Sequence, residues 1–322
     1  MTKPEEIKDL VTLLKAAGDP LRLEILSILK NSSFGVQELA SLFEMPQPGI
    51  SHHLKVLSKA ELITSRREGT GIFYRRQASF QNSPWSQLKR SLFSAADDLP
   101  QRNGITSKLD DIHALRSAQS LSFFDKHADE FKHAQGKIVS YPQYSSNLEE
   151  LIEGTLPSNA EQALEVGPGN GELLTYLNKR VPYVVGIDNS DSMLNNAKLS
   201  FADDKAKKPE FIHGDIESLT HRFEGEFDLI VLNMVLHHIP DPAEKMILLS
   251  KLLKDNGILL IADLCEHEQE WVKDSCGDIW LGFQTEELDT WGQDAGLSPE
   301  QSVFLGLKNG FQIQIKVFRF HA

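Results

Sequence analysis

Two kinds of hydrophobic spacing divide the chain. In the first eighty or so residues, apolar positions recur every three or four residues, as in Ile7, Leu10, Val11 and Leu14, which is typical of amphipathic helices. Beyond about residue 150, short apolar runs such as ALEV, YVVGID, PEFIHGD, FDLIVLN and GILLIADL alternate with helical patterns. This alternation predicts a mostly parallel sheet with helices on both faces.

The end of the chain has a different pattern. In SVFLGLKNGFQIQIKVFRF, apolar and polar residues alternate, and Asn309–Gly310 is a hairpin turn signal. The fold class we predict is multidomain, with an N-terminal α+β domain and a C-terminal α/β Rossmann-like domain that finishes in an antiparallel hairpin.

The N-terminal region has the spacing of a winged helix-turn-helix. SLFEMPQPGISHHLKVLSKAELI contains two short helices, and Ile50, Leu54 and Leu57 form one apolar face of the second. LITSRREGTGIFYRRQ then predicts a hairpin, or wing. The polar groups that we expect to contact DNA are Gln47, Ser51, His52 and Lys55 on the helix and Arg66, Arg67 and Arg75 on the wing. The alternative is a surface hairpin whose arginines are merely solvated.

Three segments follow from these patterns. Residues 1–80 are predicted to form the DNA-binding domain, 81–150 a helical linker that serves in dimerisation and as a lid, and 151–322 the α/β domain. Within the linker, PQRNG breaks the helical pattern after SPWSQLKRSLFSAADDL.

Charge separates the same regions. The 322 residues carry a net charge of −13, but residues 1–80 hold 11 Lys/Arg against 9 Asp/Glu. An acidic body repels a phosphate backbone, so any DNA contact must be local to the first domain. The chain has no apolar run long enough to cross a bilayer, and its two cysteines, Cys265 and Cys276, suit a reducing compartment. We expect a cytoplasmic protein without a membrane partner.

A glycine loop, LEVGPGNGE, lies between a predicted strand and a predicted helix. Gly167, Gly169 and Gly171 have the spacing G-x-G-x-G, whereas a dinucleotide loop requires G-x-G-x-x-G, so a nicotinamide cofactor is disfavoured. Asp188, Asp215 and Asn233 end later strands, and strand ends of such sheets converge on one crevice. The residues therefore predict a nucleoside-like ligand without phosphates. A glycine turn without a ligand is the alternative.

With these motifs in order, residues 150–322 resemble class I S-adenosylmethionine-dependent methyltransferases. The resemblance rests on LEVGPGNGELL, VVGIDNSDSMLNNA, FIHGDIESL and FDLIVLNMVLHHIPDP. It implies S-adenosylmethionine or S-adenosylhomocysteine as the ligand, with Asp188 on the ribose and Asp215 with Ile216 on the adenine. The complete set of cofactor-binding residues that it implies is Glu165, Gly167, Gly169, Gly171, Asp188, Asn189, Met193, Asp215, Ile216 and Asn233.

The first domain resembles the ArsR-type winged-helix repressors. The likeness runs through LLKAAGDPLRLEILSIL, VQELASLFEMPQPGISHHLKVLSKAELITSRREG and IFYRR. It implies a homodimer on a palindromic double-stranded DNA operator. Many of these repressors sense metals through cysteines in the helix before the turn, but SSFGVQELA has none. We therefore expect no metal site there.

Catalysis remains open at this point. His237 follows the fourth strand of the α/β domain and is the candidate acid or base, although a structural role is also open. No C-x-x-C or H-x-x-x-H spacing predicts a metal centre. Two functions fit: a regulator whose methyltransferase-like domain senses its ligand, or an active methyltransferase of an unknown small acceptor that controls its own expression. A third is a methyltransferase whose first domain binds only protein.

Overall fold

The structure is a computed structural model that describes residues 4–69, 71–78, 80, 83–128, 130–202 and 208–321. Its contacts divide the chain into two compact units, Met1–Leu115 and Arg116–Ala322.

The first unit is a helical domain with a small sheet. Its helices are α1 (Pro4–Ala17), α2 (Pro20–Ile28), α3 (Val36–Leu42), α4 (Gln47–Lys59), α5 (Ser86–Asp97) and the first part of α6 (Ile105–His127). Its strands are β1 (Phe34–Gly35), β2 (Ile63–Glu68) and β3 (Gly71–Arg76), in the antiparallel order β1-β3-β2.

Local chemistry explains where these elements begin. The Asp19 carboxylate accepts the backbone N–H of Arg22 at 3.1 Å, and Pro20 occupies the first turn of α2. β2 and β3 form the predicted hairpin, although Thr70 in its turn lies outside the described residues. The apolar faces of the helices meet in one core that includes Ile25, Leu54 and Leu57.

The second unit is an α/β domain. After the last part of α6 its helices are α7 (Phe131–Ile138), α8 (Ser145–Thr155), α9 (Glu172–Asn178), α10 (Asp191–Leu199), α11 (Pro242–Leu252), α12 (Trp271–Cys276) and α13 (Thr285–Asp294). Its strands are β4 (Gln162–Val166), β5 (Tyr183–Asp188), β6 (Glu210–His213), β7 (Phe227–Asn233), β8 (Leu253–Leu264), β9 (Leu297–Gly306) and β10 (Gln312–Phe320).

These strands form one seven-stranded sheet in the order β6-β5-β4-β7-β8-β10-β9. β4 to β8 are parallel, and the terminal pair β9–β10 is antiparallel, which confirms the predicted fold class. The strand order reverses between β4 and β7, and ligands in such sheets bind at this switch point. Within the described part of the chain, no helix is long and apolar enough to span a membrane.

Candidate cofactor and DNA-binding sites

The glycine loop follows β4 at the switch point. Gly167 has φ +64°, and a Cβ added there would lie 2.5 Å from Cγ2 of Val235 in the loop after β7. Gly171 has φ +75° and begins α9, and its Cβ would lie 3.0 Å from the carbonyl oxygen of Ala197. At both positions a side chain is excluded for two reasons. The backbone has a positive φ, and another segment of the same chain lies too close.

A cleft opens between this loop and the end of β7. The residues that line it are Gln135, Tyr141, Tyr144, Gly167, Pro168, Gly169, Asn170, Glu172, Leu173, Asn233 and Met234. The lining contains a carboxylate and several polar groups but neither lysine nor arginine. It therefore suits a ligand that presents positive charge and hydrogen-bond donors.

Glu165, in β4, is 1% exposed, and its Oε2 has no hydrogen-bond partner among the described residues. Burial, and then the charge of Glu172, raise the pKa of Glu165 well above its ordinary value. A buried carboxylate without a partner is costly. A cationic or N–H-bearing group bound in the cleft would offset that cost, so the residue fits the amino and sulfonium groups of S-adenosylmethionine.

Asp188 ends β5 at the same edge of the sheet. Its Oδ1 accepts the backbone N–H of Ser190 at 2.9 Å. Burial raises the pKa of Asp188 to about 6, although the hydrogen bond from Ser190 acts in the opposite direction. A strand-end carboxylate of this kind can accept two hydroxyl donors, as a ribose provides.

The residues predicted on the adenine side lie near one another. Asn189 Nδ2 donates to Asp215 Oδ1 at 3.3 Å, and Ile216 is buried immediately after Asp215. Met193 is buried on α10 and packs with Ala128. The structure thus brings the ends of β5 and β6 together at one edge of the sheet, and the role of these residues toward adenine stays a prediction.

Helix α6 contributes groups to this edge that the motifs did not indicate. Ser190 Oγ donates to Asp125 Oδ1 at 2.7 Å and accepts the backbone N–H of Met193 at 3.2 Å, which caps α10. Phe124 packs against the same cluster of Met193 and Ala128. On the other side of the cleft, the Tyr144 hydroxyl donates to Asn233 Oδ1 at 2.9 Å, so that amide is held in one orientation.

His237 and His238 occupy a short 3-10 turn after β7 and are both buried. His237 Nδ1 lies 2.7 Å from Asp263 Oδ1, and its Nε2 lies 3.9 Å from Asp278 Oδ1. Burial alone would lower the pKa of His237, but the charges of Asp263 and Asp278 and the hydrogen bond to Asp263 raise it to about 9. Burial, followed by the charge of His237, lowers the pKa of His238 well below its ordinary value. The catalytic role of His237 stays a prediction.

In the first unit, α3 and α4 form a helix-turn-helix. Ile50, Leu54 and Leu57 are completely buried beneath α4. The opposite face exposes the four polar residues expected on DNA, namely Gln47, Ser51, His52 and Lys55. A regular helix therefore presents one polar face of the width that a major groove accepts.

The wing arginines are placed less uniformly. Arg67 is exposed and its Nε donates to the carbonyl oxygen of Gly69 at 3.1 Å. Arg66 forms an ion pair with the buried Glu68, and Arg75 is 8% exposed. Arg76 donates to the carbonyl oxygen of Leu26 at 2.6 Å and pairs with Asp97. Of these four side chains, Arg67 is the most open to a phosphate.

Comparison with known proteins confirms what the first unit resembles. Residues 19–65 match the family described as "Bacterial regulatory protein, arsR family". An uncharacterised HTH-type transcriptional regulator of Methanocaldococcus jannaschii is 44% identical over 71 residues, which is 22% of this chain and 80% of that protein. The chain belongs to the arsR family of regulatory proteins.

A second relative of this regulator is the arsenical resistance operon repressor of Staphylococcus xylosus, 40% identical over 23% of this chain and 70% of the repressor. Residues 157–296 of the regulator match the family described as "Methyltransferase domain". The ubiquinone biosynthesis O-methyltransferase of Dechloromonas aromatica is 26% identical over 47% of this chain and 71% of that enzyme.

A solved structure has the same fold as the second unit. The [4+2]-cyclase SpnF matches with a TM-score of 0.52 and 14% identity, over 62% of this chain and 94% of SpnF. The chain therefore joins an arsR-family regulatory domain to a methyltransferase domain, as the resemblances implied. Fold alone does not decide the chemistry of that domain.

Sequence reasoning missed some groups at the cofactor edge. Asp188 was predicted because it is a carboxylate at the end of a strand or loop. The same rule would have found Asp263, near the end of β8, and Glu172, directly after the glycine loop. Asp125 and Asp278 lie outside any strand-end motif, so only the tertiary structure places them.

Proposed function

We propose that this protein is a homodimeric, operator-binding repressor whose second unit binds S-adenosylmethionine or S-adenosylhomocysteine and thereby changes its affinity for DNA. The observation that carries the proposal is Glu165, a buried carboxylate with an unpartnered oxygen beside a glycine loop where a side chain cannot fit. The unpartnered carboxylate oxygen supports a bound ligand, and the exposed polar face of α4 supports DNA binding by the same chain. Because its target is operator DNA, we expect it to act in the cytoplasm.

Electrostatics favours the methylated form of the ligand. The cleft lining contains Glu172 and no basic residue, and the buried Glu165 lies two residues before Gly167 of that lining. S-adenosylmethionine carries a sulfonium charge that S-adenosylhomocysteine lacks. In a cleft that is partly closed off from bulk water, an additional opposite charge is worth more than it is in water. We therefore propose that S-adenosylmethionine binds more tightly.

Helix α6 offers a physical route between ligand and DNA. In the second unit it carries Asp125, which holds the cap of α10. In the first unit it carries Lys108, whose Nζ lies 2.7 Å from Glu44 Oε1, and Glu44 belongs to the turn before α4. A ligand that changes the position of the later part of α6 acts on a helix that also contacts the helix-turn-helix. A ligand shifts DNA affinity only if it binds the two states unequally.

The proposed homodimer has a candidate surface on α1. Ile7, Val11 and Leu14 recur on one face of the helix and are 54%, 42% and 54% exposed. An apolar stripe of this kind is normally covered by another element. Leu14→Glu should convert the dimer to a monomer in light scattering and lower operator affinity with it. A variant that remains dimeric would place the interface elsewhere.

The deciding experiment is titration calorimetry with each ligand separately, on the free protein and on the protein bound to its own promoter DNA. Ligand affinity that differs between the two states establishes the coupling. Equal affinities would contradict the sensor proposal and turn the search to a methyl acceptor. Absence of binding by both ligands would contradict the cofactor assignment as well.

A further inference from the structure

Three side chains beside the cofactor cleft converge on one point. His237 and His238 come from the turn after β7, and Asp278 follows α12. Each offers a ligand atom, and these atoms lie within 4.8 Å of one another. All three residues are buried, at 2%, 9% and 4% exposure. Two imidazoles and one carboxylate form a donor set that divalent transition metals prefer.

The second contacts of the histidines fix which nitrogen faces the cluster. His238 Nδ1 lies 3.1 Å from the carbonyl oxygen of Gly277, which can only accept a hydrogen bond, so Nδ1 carries the proton. His237 Nδ1 is held in the same way by Asp263 Oδ1 at 2.7 Å. When the two rings are neutral, each Nε2 therefore keeps its lone pair. Anchoring one ring nitrogen on a carboxylate or a carbonyl is the arrangement that orients histidine ligands in metal sites.

We propose that His237, His238 and Asp278 bind one divalent transition-metal ion of the zinc class, through Nε2 of each imidazole and a carboxylate oxygen of Asp278. Asp263 and the carbonyl of Gly277 orient the two rings. The proposal is independent of whether the protein binds S-adenosylmethionine.

The distances are compatible with such an ion. Donor atoms around a tetrahedral zinc ion lie about 3.3 Å apart, because the bonds are roughly 2.0–2.1 Å long. His237 Nε2 and Asp278 Oδ1 are 3.9 Å apart. These two atoms would need to approach each other by about half an ångström to bind the same zinc ion. Three protein ligands leave a fourth position for water or another small ligand.

The metal would join two loops that lie far apart in sequence. His237 is four residues beyond Asn233, whose amide lines the cofactor cleft. Phe124 of α6 packs edge-on against His238 at 4.8 Å between ring centroids, and Ser120 Oγ donates to the carbonyl oxygen of His238 at 3.4 Å. Metal binding would therefore stiffen the turn after β7 at a place that α6 also contacts.

The experiment is a Co²⁺ titration of the full chain after treatment with a chelator, followed by visible d–d absorption and competition with Zn²⁺. We expect one equivalent to bind to the wild type and to His221→Gln, which removes an exposed histidine outside the cluster. His238→Gln and Asp278→Asn remove a ligand, so each should lower the Co²⁺ affinity at least ~100-fold. Asp263→Asn changes only the group that orients His237, so it should lower the affinity about 10-fold to 100-fold. Thermal unfolding and circular dichroism establish that each variant is folded.

Two outcomes overturn the proposal. One is a wild type that binds no Co²⁺, and the other is a folded His238→Gln variant with unchanged affinity. An intense near-ultraviolet thiolate band would place the ion on Cys265 or Cys276 and would also contradict it. If the variants do not fold, X-ray absorption on the Zn²⁺-loaded wild type decides, because the proposal requires a nitrogen and oxygen shell with two imidazoles and no sulfur.

Discussion

Helix α4 presents its polar side chains to solvent, whereas Glu165, beside the cofactor cleft, is buried. Gln47 and Lys55 lie on the open face of a regular helix, and their exposure adds little free-energy cost to folding. Glu165 is buried and Asp188 is half-buried, and burial raises the pKa of both carboxyl groups. A surface that reads a large polyanion can be built without strain, but a site for a small ligand holds groups that are satisfied only when the ligand arrives.

The largest expected effect is on DNA binding. Lys55→Glu places a negative charge on the exposed face of α4, where we expect it to meet phosphate or base edges. Both protomers of the proposed dimer carry the change, so operator affinity should fall about 100-fold at moderate salt. Fluorescence anisotropy with labelled operator measures it.

Lys251→Glu is the matched control, since it makes the same charge change on the exposed side of α11. It should leave operator affinity within about twofold, because Lys251 belongs to the second unit and not to the helix-turn-helix. Equal losses in both variants would mean that net charge, not the face of α4, decides the affinity.

Asp188→Asn tests the opposite kind of site. The amide keeps an oxygen for the Ser190 N–H but loses the charged acceptor, so affinity for S-adenosylmethionine should fall at least ~10-fold. The folded protein without ligand should become more stable at pH 8, by about 2 kcal/mol, because the wild type must ionise a half-buried carboxyl whose pKa is raised.

The pH dependence has a definite sign. The pKa of Asp188 is about 6 in the fold, above its ordinary value of 3.8. The protonated carboxyl of Asp188 therefore contributes its full stabilisation of the fold below pH 3.8. This stabilisation is lost as the pH rises through about 6. The gain in Asp188→Asn should vanish at low pH, as measured by urea unfolding at several pH values. Asp255→Asn, on the exposed start of β8, makes the same change of side chain outside the cofactor edge and serves as the control.

Glu165→Gln sharpens the electrostatic side of the comparison. A cationic ligand lowers the raised pKa of Glu165, so S-adenosylmethionine should release up to about one proton per site on binding. Calorimetry in buffers with different ionisation enthalpies measures this release. The Gln variant should release fewer protons than the wild type, because Asp188 remains, and S-adenosylhomocysteine should release fewer than S-adenosylmethionine. Equal proton release by wild type and variant would show that Glu165 does not face the ligand.

The smallest expected effect is on the wing. Because Arg66 is paired with Glu68 and Arg67 is exposed, Arg67→Ala should account for most of the loss seen in a double Arg66→Ala, Arg67→Ala variant. We expect a few-fold loss of operator affinity and a shallower dependence on salt, by about 0.9 per lost phosphate contact. Arg90→Ala, an exposed arginine on α5, is the control. An unchanged salt slope would remove the wing from the interface.

Periodicity made the folds of both units and the reading face of α4 predictable. Ile50, Leu54 and Leu57 have helical spacing, so the orientation of Ser51 and Lys55 follows from the helix itself. The strand-end rule likewise located Asp188, because parallel strands bring their carboxyl ends to one edge.

What the sequence could not predict depends on partners distant along the chain. Four arginines flank the wing, but only the fold shows that Arg66 pairs with Glu68 and that Arg76 is held by Asp97. His237 was a visible candidate, yet the carboxylate that orients it comes from β8, twenty-six positions away. Charge pairing across elements follows from tertiary packing and leaves no periodic signal.

The Ser190 cap on α10 makes the backbone amide of Met193 a built-in reporter. That N–H is protected from exchange with deuterium only while Ser190 Oγ accepts it, and the same hydroxyl donates to Asp125 on α6. If α6 withdraws, the cap loosens, and Met193 should exchange faster than the amides deeper in α10. The exchange rate of this single amide, measured with and without operator DNA, would therefore report how often the contact between Asp125 of α6 and Ser190 breaks.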